Sequence, residues 1–303
     1  MKADKTKICE YMRRIADNLQ GQGRQGTAAK YEGAARSFSR YLVSLGKRGG
    51  DICIKDMKPS LIEGYEGWLR GFQLCRNTTS QYLRSVRAAY NRAVRDGIAE
   101  KRDLFSNVYT GVAKTEKRAL PIDVIRRIKA MPLQDPRVRL ARDMFMMSFY
   151  LRGMSFVDMA FLRKSDLSHG RVTYTRRKTG QRLSIKWTDA MQEILDGYAA
   201  NPTEYLLPLL TSPGGDRYKE YLNASARVNL HLKAIGEMLD LPIRLTMYCA
   251  RHSWATAART SGIPISVISE GLGHDSEATT QIYLASLDTV AIDNANDAII
   301  AAV

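Results

Sequence analysis

Several things are scarce in this chain of 303 residues, and each scarcity excludes something. There are four cysteines, Cys9, Cys53, Cys75 and Cys249, scattered with no CxxC pair. That excludes a disulfide framework and fits free thiols in a reducing compartment. There are four histidines, none at metal-ligand spacing with a cysteine, so no zinc site is expected. No apolar run reaches membrane-spanning length, and the basic amino terminus lacks the hydrophobic stretch of a secretion signal. A cytoplasmic protein without membrane contact is the expectation. Acidic residues are also short: 31 Asp and Glu stand against 46 Lys and Arg, a formal charge of +15. An excess of that size favours a polyanionic partner, and nucleic acid is the commonest.

What is present is mostly helical periodicity. Residues 1–25 open with a short helical pattern and become polar and glycine-rich at Gly21-Gln22-Gly23; they are expected to form a mobile lead-in. From Thr27, Tyr31, Ala35, Phe38, Leu42 and Leu45 recur at helical spacing. A second helix carries Ile62, Tyr65, Leu69 and Phe72. A third, with Asn77-Thr78-Thr79-Ser80 as its cap, carries Leu83, Val86, Tyr90 and Val94 and stops at Gly97. Together they predict a helical bundle over residues 26–112. A linker at 113–118 precedes a second, larger domain over 119–287. Its long core helix is marked by Leu140, Met144, Met147 and Leu151. Strict alternation along Arg171–Trp187, broken at Lys178-Thr179-Gly180-Gln181, predicts a β-hairpin. Helices resume to the end, and Asp288–Val303 forms a weakly amphipathic last segment with Ile292, Ala295, Ile299 and Ala302 on one face. The expected class is mainly α (α+β), a small bundle followed by a mostly helical domain with a small antiparallel sheet.

The last quarter of the chain holds Tyr248-Cys249-Ala250-Arg251-His252, then Leu272-Gly273-His274, then Tyr283 nine residues on. An arginine can hold two phosphate oxygens at once, a histidine can donate to an oxygen, and a tyrosine can attack phosphorus. A helix opening at Arg251 would add its N–H groups to the phosphate site. The residues and their order resemble the tyrosine recombinase family of phage integrases and XerC/XerD-like resolvases. The resemblance covers the chain from Thr27 on, in motif in the second domain and in layout alone in the bundle.

The resemblance implies a strand-exchange enzyme needing neither metal nor nucleotide cofactor. Tyr283 would be the nucleophile of a 3′-phosphotyrosyl intermediate, with Arg251 and His274 on the phosphate. Lys178, among Arg176, Arg177 and Arg182, would protonate the departing 5′ oxygen. The partner would be double-stranded DNA with crossover sites, bound by a homotetramer whose subunits are monomeric in free solution; accessory DNA-bending proteins fit the same scheme. The bundle would be a core DNA-binding domain contacting phosphates through Arg84, Arg87 and Arg95, with Arg177 and Arg182 adding contacts from the second domain. Residues 288–303 would be a helix exchanged between neighbours.

Two positions depart from the family pattern. Tyr248 stands where a histidine is usual; a phenol donates a hydrogen bond but is no near-neutral base. Ser155 stands where the first arginine is expected in a frame set by Gly153, Asp158 and Leu162. Arg152, one helical turn earlier, and Arg176, expected to share a strand face with Lys178, are the two candidates to replace it. These departures keep open a DNA clamp that no longer cuts. A topoisomerase-like nicking-closing enzyme is the other alternative. Integration, excision and inversion differ only in where the sites lie, so the sequence does not choose among them.

Overall fold

A computed structural model describes residues 5–113, 118–212 and 214–284, together with 296, 297, 299 and 300; for Ile282 and Tyr283 the backbone alone is described. The chain divides into two compact units, residues 1–115 and 116–303. The expected linker lies outside the described residues at 114–117. So does most of the expected exchange helix, where Ile299 is 66% exposed.

Unit 1 is a bundle of α1 (Ile8–Gly21), α2 (Gln25–Ser44), α3 (Pro59–Arg70) and α4 (Arg76–Arg95). The apolar stripe of α1 (Ile8, Tyr11, Met12, Ile15 and Leu19, at spacings of three and four) is buried in the same core as Phe38, Leu42, Tyr65 and Tyr90. This corrects the reading of residues 1–25 as a mobile lead-in. The glycine-rich stretch is a tight turn: Gly23, at φ +73°, reverses the chain while Arg24 N–H donates to the Leu19 carbonyl. The other end of α1 is held by Asp51, whose carboxylate accepts from the N–H groups of Cys9 and Glu10 at 2.9 and 3.0 Å.

The cap of α4 is also relocated. The helix starts one residue after Cys75, and Asn77 faces away to hold the segment leaving the bundle. Its side-chain amide exchanges two hydrogen bonds with Ala113, at 3.0 and 2.8 Å.

Unit 2 is built around α6 (Pro136–Tyr150), whose Met144, Phe145 and Met147 are fully buried. Around it stand α5 (Ile122–Ala130), α7 (Phe156–Ala160), α8 (Asp189–Asp196), α9 (Arg217–Met238), α10 (Met247–Thr260), α11 (Ile265–Leu272) and α12 (Glu277–Leu284). The expected hairpin is present as β2 (Arg171–Thr175) and β3 (Arg182–Lys186), antiparallel with Thr173 opposite Ser184. A two-residue strand, β1 (Leu167–Ser168), pairs with the outer edge of β2 to complete a three-stranded sheet. Val172, Leu183 and Ile185 face the core as the alternation requires. No helix among the described residues is long and apolar enough to cross a membrane.

Candidate active site

The site is assembled where the end of α6, the tip of the hairpin and the α10–α11 pair meet. Arg152 and Gly153 follow α6 in left-handed backbone, at φ +58° and +69°. A Cβ on Gly153 would lie 2.6 Å from the Arg251 Cα, so only glycine lets α10 approach this closely. The Gly153 carbonyl then accepts from Nη1 of Arg251 at 2.8 Å. Arg251, 4% exposed, also donates through Nη2 to the Leu272 carbonyl, and that nitrogen lies 3.1 Å from Nε2 of His274. Arg251 is the fifth residue of α10, so its own N–H belongs to the helix ladder. The expectation that Arg251 opens a helix and offers free N–H groups is corrected: the guanidinium alone reaches the site.

Arg176, 5% exposed, donates through Nη1 to the Gly273 carbonyl, and Thr179 Oγ1 reaches the same oxygen at 3.4 Å. The two guanidiniums are therefore anchored on successive carbonyls of Leu272-Gly273-His274. Gly273, at φ +63°, ends α11, and His274 N–H bonds back to the Ser269 carbonyl at 3.0 Å. A Cβ at Gly273 would crowd Leu183, Arg176 and Gln181 at 2.9, 3.1 and 3.2 Å. That turn is closely packed, though less tightly than the one at Gly153.

Arg176 continues the inward face of β2 after Val172 and Tyr174, but Lys178 does not. The strand ends at Thr175, and the chain turns with Arg176 N–H on the Gln181 carbonyl and Gly180 N–H on the Arg176 carbonyl, both at 2.8 Å. Lys178 is exposed at the tip while Arg176 is buried beneath it. The expected shared face is thus absent, because a tight turn breaks the two-residue alternation. Of the flanking arginines, Arg177 is exposed and lies over the Phe161 ring at 3.8 Å, and Arg182 is exposed.

Ser155, where the family arginine was expected, caps α7. Its hydroxyl donates to Asp158 Oδ2 at 2.6 Å, and Asp158, itself buried, accepts the Arg177 N–H at 2.9 Å. Arg152 is half-buried, with its Cδ beside Gly271. Tyr248 is 46% exposed in the first turn of α10, and its ring meets His252 edge-on, 4.5 Å between centroids. Tyr283 lies in the last turn of α12, one helical turn after Thr280.

Electrostatics follow from this crowding of cations. Burial first, then Arg251, Arg176 and Lys178, lower the pKa of His274 to about 4. His252 is likewise lowered to about 4, by burial, Arg118 and Arg251. Both are neutral at pH 7. Sequence reasoning missed Thr280, which meets Nδ1 of His274 at 2.8 Å, and the Ser155–Asp158 brace. A polar residue one turn before the tyrosine was the only signal for the first. No group of three or more His, Cys, Asp or Glu side chains among the described residues could hold a metal.

In unit 1 the three candidate DNA contacts separate. Arg95 is exposed and lines a cavity of about 640 Å³ with Arg24, Arg92 and Lys101. Arg87 donates to Thr110 Oγ1 at 2.6 Å, and Arg84 is half-buried.

Comparison with known proteins accounts for both units. Residues 7–107 match the Phage integrase SAM-like domain, and residues 122–289 match the Phage integrase family. A tyrosine recombinase of Pseudothermotoga lettingae is 24% identical over 295 residues, covering 94% of this chain and 93% of its own. The Tn1549 transposon integrase, solved in complex with transposon right end DNA, has a similar fold: TM-score 0.66, 14% identity, 97% of this chain and all of that one. A lambda integrase tetramer bound to a Holliday junction gives TM-score 0.66, 17% identity, 92% of this chain and 78% of that one. With more than half of its length matched by the catalytic family, the chain belongs to the Phage integrase family: it is a tyrosine-type site-specific recombinase, a DNA-binding enzyme that cleaves and rejoins DNA.

Proposed function

We propose that Tyr283 is the nucleophile of this recombinase and that Arg251, Arg176 and His274 form its phosphate pocket. The Tyr283 hydroxyl oxygen bonds to the phosphorus of one strand and the bond from phosphorus to the 5′ oxygen breaks. The phenol proton leaves to solvent, and Lys178 gives a proton to the departing oxygen. A 3′-phosphotyrosyl link and a free 5′ hydroxyl result. Attack by a 5′ hydroxyl of the partner duplex runs the same steps backwards, so the bond energy is conserved without a nucleotide.

The observation that carries this reading is the convergence of both buried guanidiniums on Leu272-Gly273-His274. Charged side chains are buried only where something compensates, and two guanidiniums bring nothing but donors to this one turn. A bound phosphodiester would take them, with neutral His274 completing the set. The same observation favours Arg176 over Arg152 as the arginine that stands in for Ser155. Ser155 is engaged as a helix cap, and Arg152 makes no hydrogen bond to that turn among the described residues. Tyr248, edge-on to His252, is read as a support for the first turn of α10 rather than as a base.

Exposed Lys178, Arg177 and Arg182 suit contacts to the DNA backbone, and Arg95 does so in unit 1. Arg87 is read as a brace for Thr110, and Arg84 as a partly buried contact. The working form is a homotetramer on two crossover sites, assembled from subunits monomeric in free solution, with residues 288–303 exchanged between neighbours. Lambda integrase, which shares the fold, is found as a tetramer on a Holliday junction.

The test uses a duplex carrying the crossover site, nicked next to the scissile phosphate to trap the intermediate. The native protein should form an adduct that survives denaturant, Tyr283→Phe none, and Arg176→Ala one formed about 10²–10³ more slowly. An adduct persisting in Tyr283→Phe would overturn the nucleophile. Native protein that binds the site without any adduct would favour the clamp that no longer cuts.

A further inference from the structure

His274 is engaged at both ring nitrogens: Nε2 lies 3.1 Å from Nη2 of Arg251, and Nδ1 lies 2.8 Å from Oγ1 of Thr280. A guanidinium carries donors only and keeps its proton, so at the first contact the imidazole is the acceptor. A neutral ring accepting at Nε2 carries its one proton on Nδ1, where it is donated to Thr280. The ring is neutral at pH 7, since burial and the cations around it hold its pKa near 4. This is the wrong tautomer for a group that must give a hydrogen bond from Nε2 to a phosphate oxygen.

The partner at Nδ1 can serve either tautomer. A threonine hydroxyl accepts through its lone pairs and donates through a proton that rotates about the C–O bond. Thr280 is 0% exposed, so water does not compete for it. It stands on α12 three residues before Tyr283, and α12 packs against α10 and α11.

We propose that Thr280 is a positioning residue that sets the tautomer of His274, accepting from Nδ1–H in the DNA-free site and donating to Nδ1 once a phosphate draws Arg251 off Nε2. The proton count of the ring does not change. Nδ1–H is lost, Nε2–H is gained through solvent, and the hydroxyl proton stays on its oxygen and rotates. One helix then controls two requirements together, because seating α12 brings in the tyrosine and also supplies the hydroxyl that lets His274 donate. The inference rests on the reading of His274 as the phosphate donor.

The test uses the full chain labelled with ¹⁵N at its four histidines, with His274 assigned by its loss in His274→Ala. In free protein the His274 Nδ1 signal should be that of a protonated nitrogen and Nε2 that of a bare one. The order should reverse in Tyr283→Phe bound to the nicked crossover duplex, where no cleavage intervenes. Thr280→Val, which keeps the shape and removes the hydroxyl, should bind DNA as native does. It should form adduct more slowly by about ten- to hundredfold, short of the roughly 10²–10³ that losing a donor outright costs. Thr280→Ser should recover most of the rate.

A protonated Nε2 in free protein, or Thr280→Val forming adduct at the native rate while His274→Ala is slow, overturns the role of Thr280. If His274→Ala itself reacts like native protein, it is the donor role of His274 that fails. Should Thr280→Val not fold, the tautomer measurement, which needs no substitution at 280, decides alone.

Discussion

Unit 1 buries aromatic rings, and unit 2 buries charge. In unit 1 Phe38 meets Tyr65 edge-on at 4.8 Å, Tyr41 packs tilted and Trp68 stacked against Tyr65, and the basic residues stay on the surface or at its edge. In unit 2 a core rich in aliphatic and methionine side chains ends at a pocket holding two almost fully buried arginines and a neutral histidine. Aromatic burial is favourable in its own right, whereas a buried guanidinium roughly breaks even at best. One region is arranged for stability. The other carries a local cost, which a bound phosphate would offset on the proposed reading of the pocket.

The contrast can be broken at several places. The largest effect is expected from Tyr65→Ala, a fully buried ring at the centre of the unit 1 cluster. It should lower stability by about 3–5 kcal/mol, read by urea melting of the intact chain. Arg176→Met should do the reverse. Stability should shift by no more than about 1–2 kcal/mol, since an apolar chain replaces a buried charge. Adduct formation should fall by about 10²–10³, equivalent to roughly 3–4 kcal/mol of barrier. A melting loss as large as that of Tyr65→Ala would make Arg176 a structural residue.

Gly153→Ala comes next. It forces a Cβ against the Arg251 backbone at a positive φ, so it should cost more than about 1 kcal/mol and slow cleavage as well. Asn77→Ala, which removes two hydrogen bonds to Ala113, should cost about 1–2 kcal/mol and leave the intrinsic cleavage chemistry intact.

A separate expectation is a pH dependence arising in unit 2, whose size follows from the two histidine shifts and not from a lost contact. The folded pKa values of His274 and His252 lie near 4, below the ordinary 6.5, so between these values the unfolded chain binds more protons. The stability from keeping both rings neutral is complete above about pH 6.5 and is lost as the pH falls toward 4. Melting in urea across that range should show the decline, and replacing either histidine with glutamine should flatten it.

Legibility in the sequence follows the range of the interactions. Short-range patterns were readable: the stripes of α3 and α4, the alternation that put Arg176 on the inward face of β2, and the Leu272-Gly273-His274 turn. Patterns whose outcome depends on a distant partner were not. Gly21-Gln22-Gly23 looks like a tether until the core shared by α1 and Phe38 makes it a turn. Asn77 looks like a cap until Ala113, 36 residues on, takes its amide. Arg176 and Lys178 share a face only if the strand continues, and the Gln181 carbonyl ends it. The partners of Ser155 and His274 lie close in sequence, but nothing in the residue types alone said the side chains would meet.

The turn at Leu272-Gly273-His274 offers its arginines main-chain oxygens, which every sequence possesses. A guanidinium held this way depends on the path of the backbone and not on any particular neighbouring side chain. On the proposal that Arg176 stands in for the arginine expected at Ser155, the turn would accept that arginine from a hairpin without a matching side-chain change. Gly153 and Gly273 must stay as they are, since a side chain at either would strain a left-handed turn and crowd Arg251 or Arg176. The pocket is a socket whose rim is main chain and not side chains.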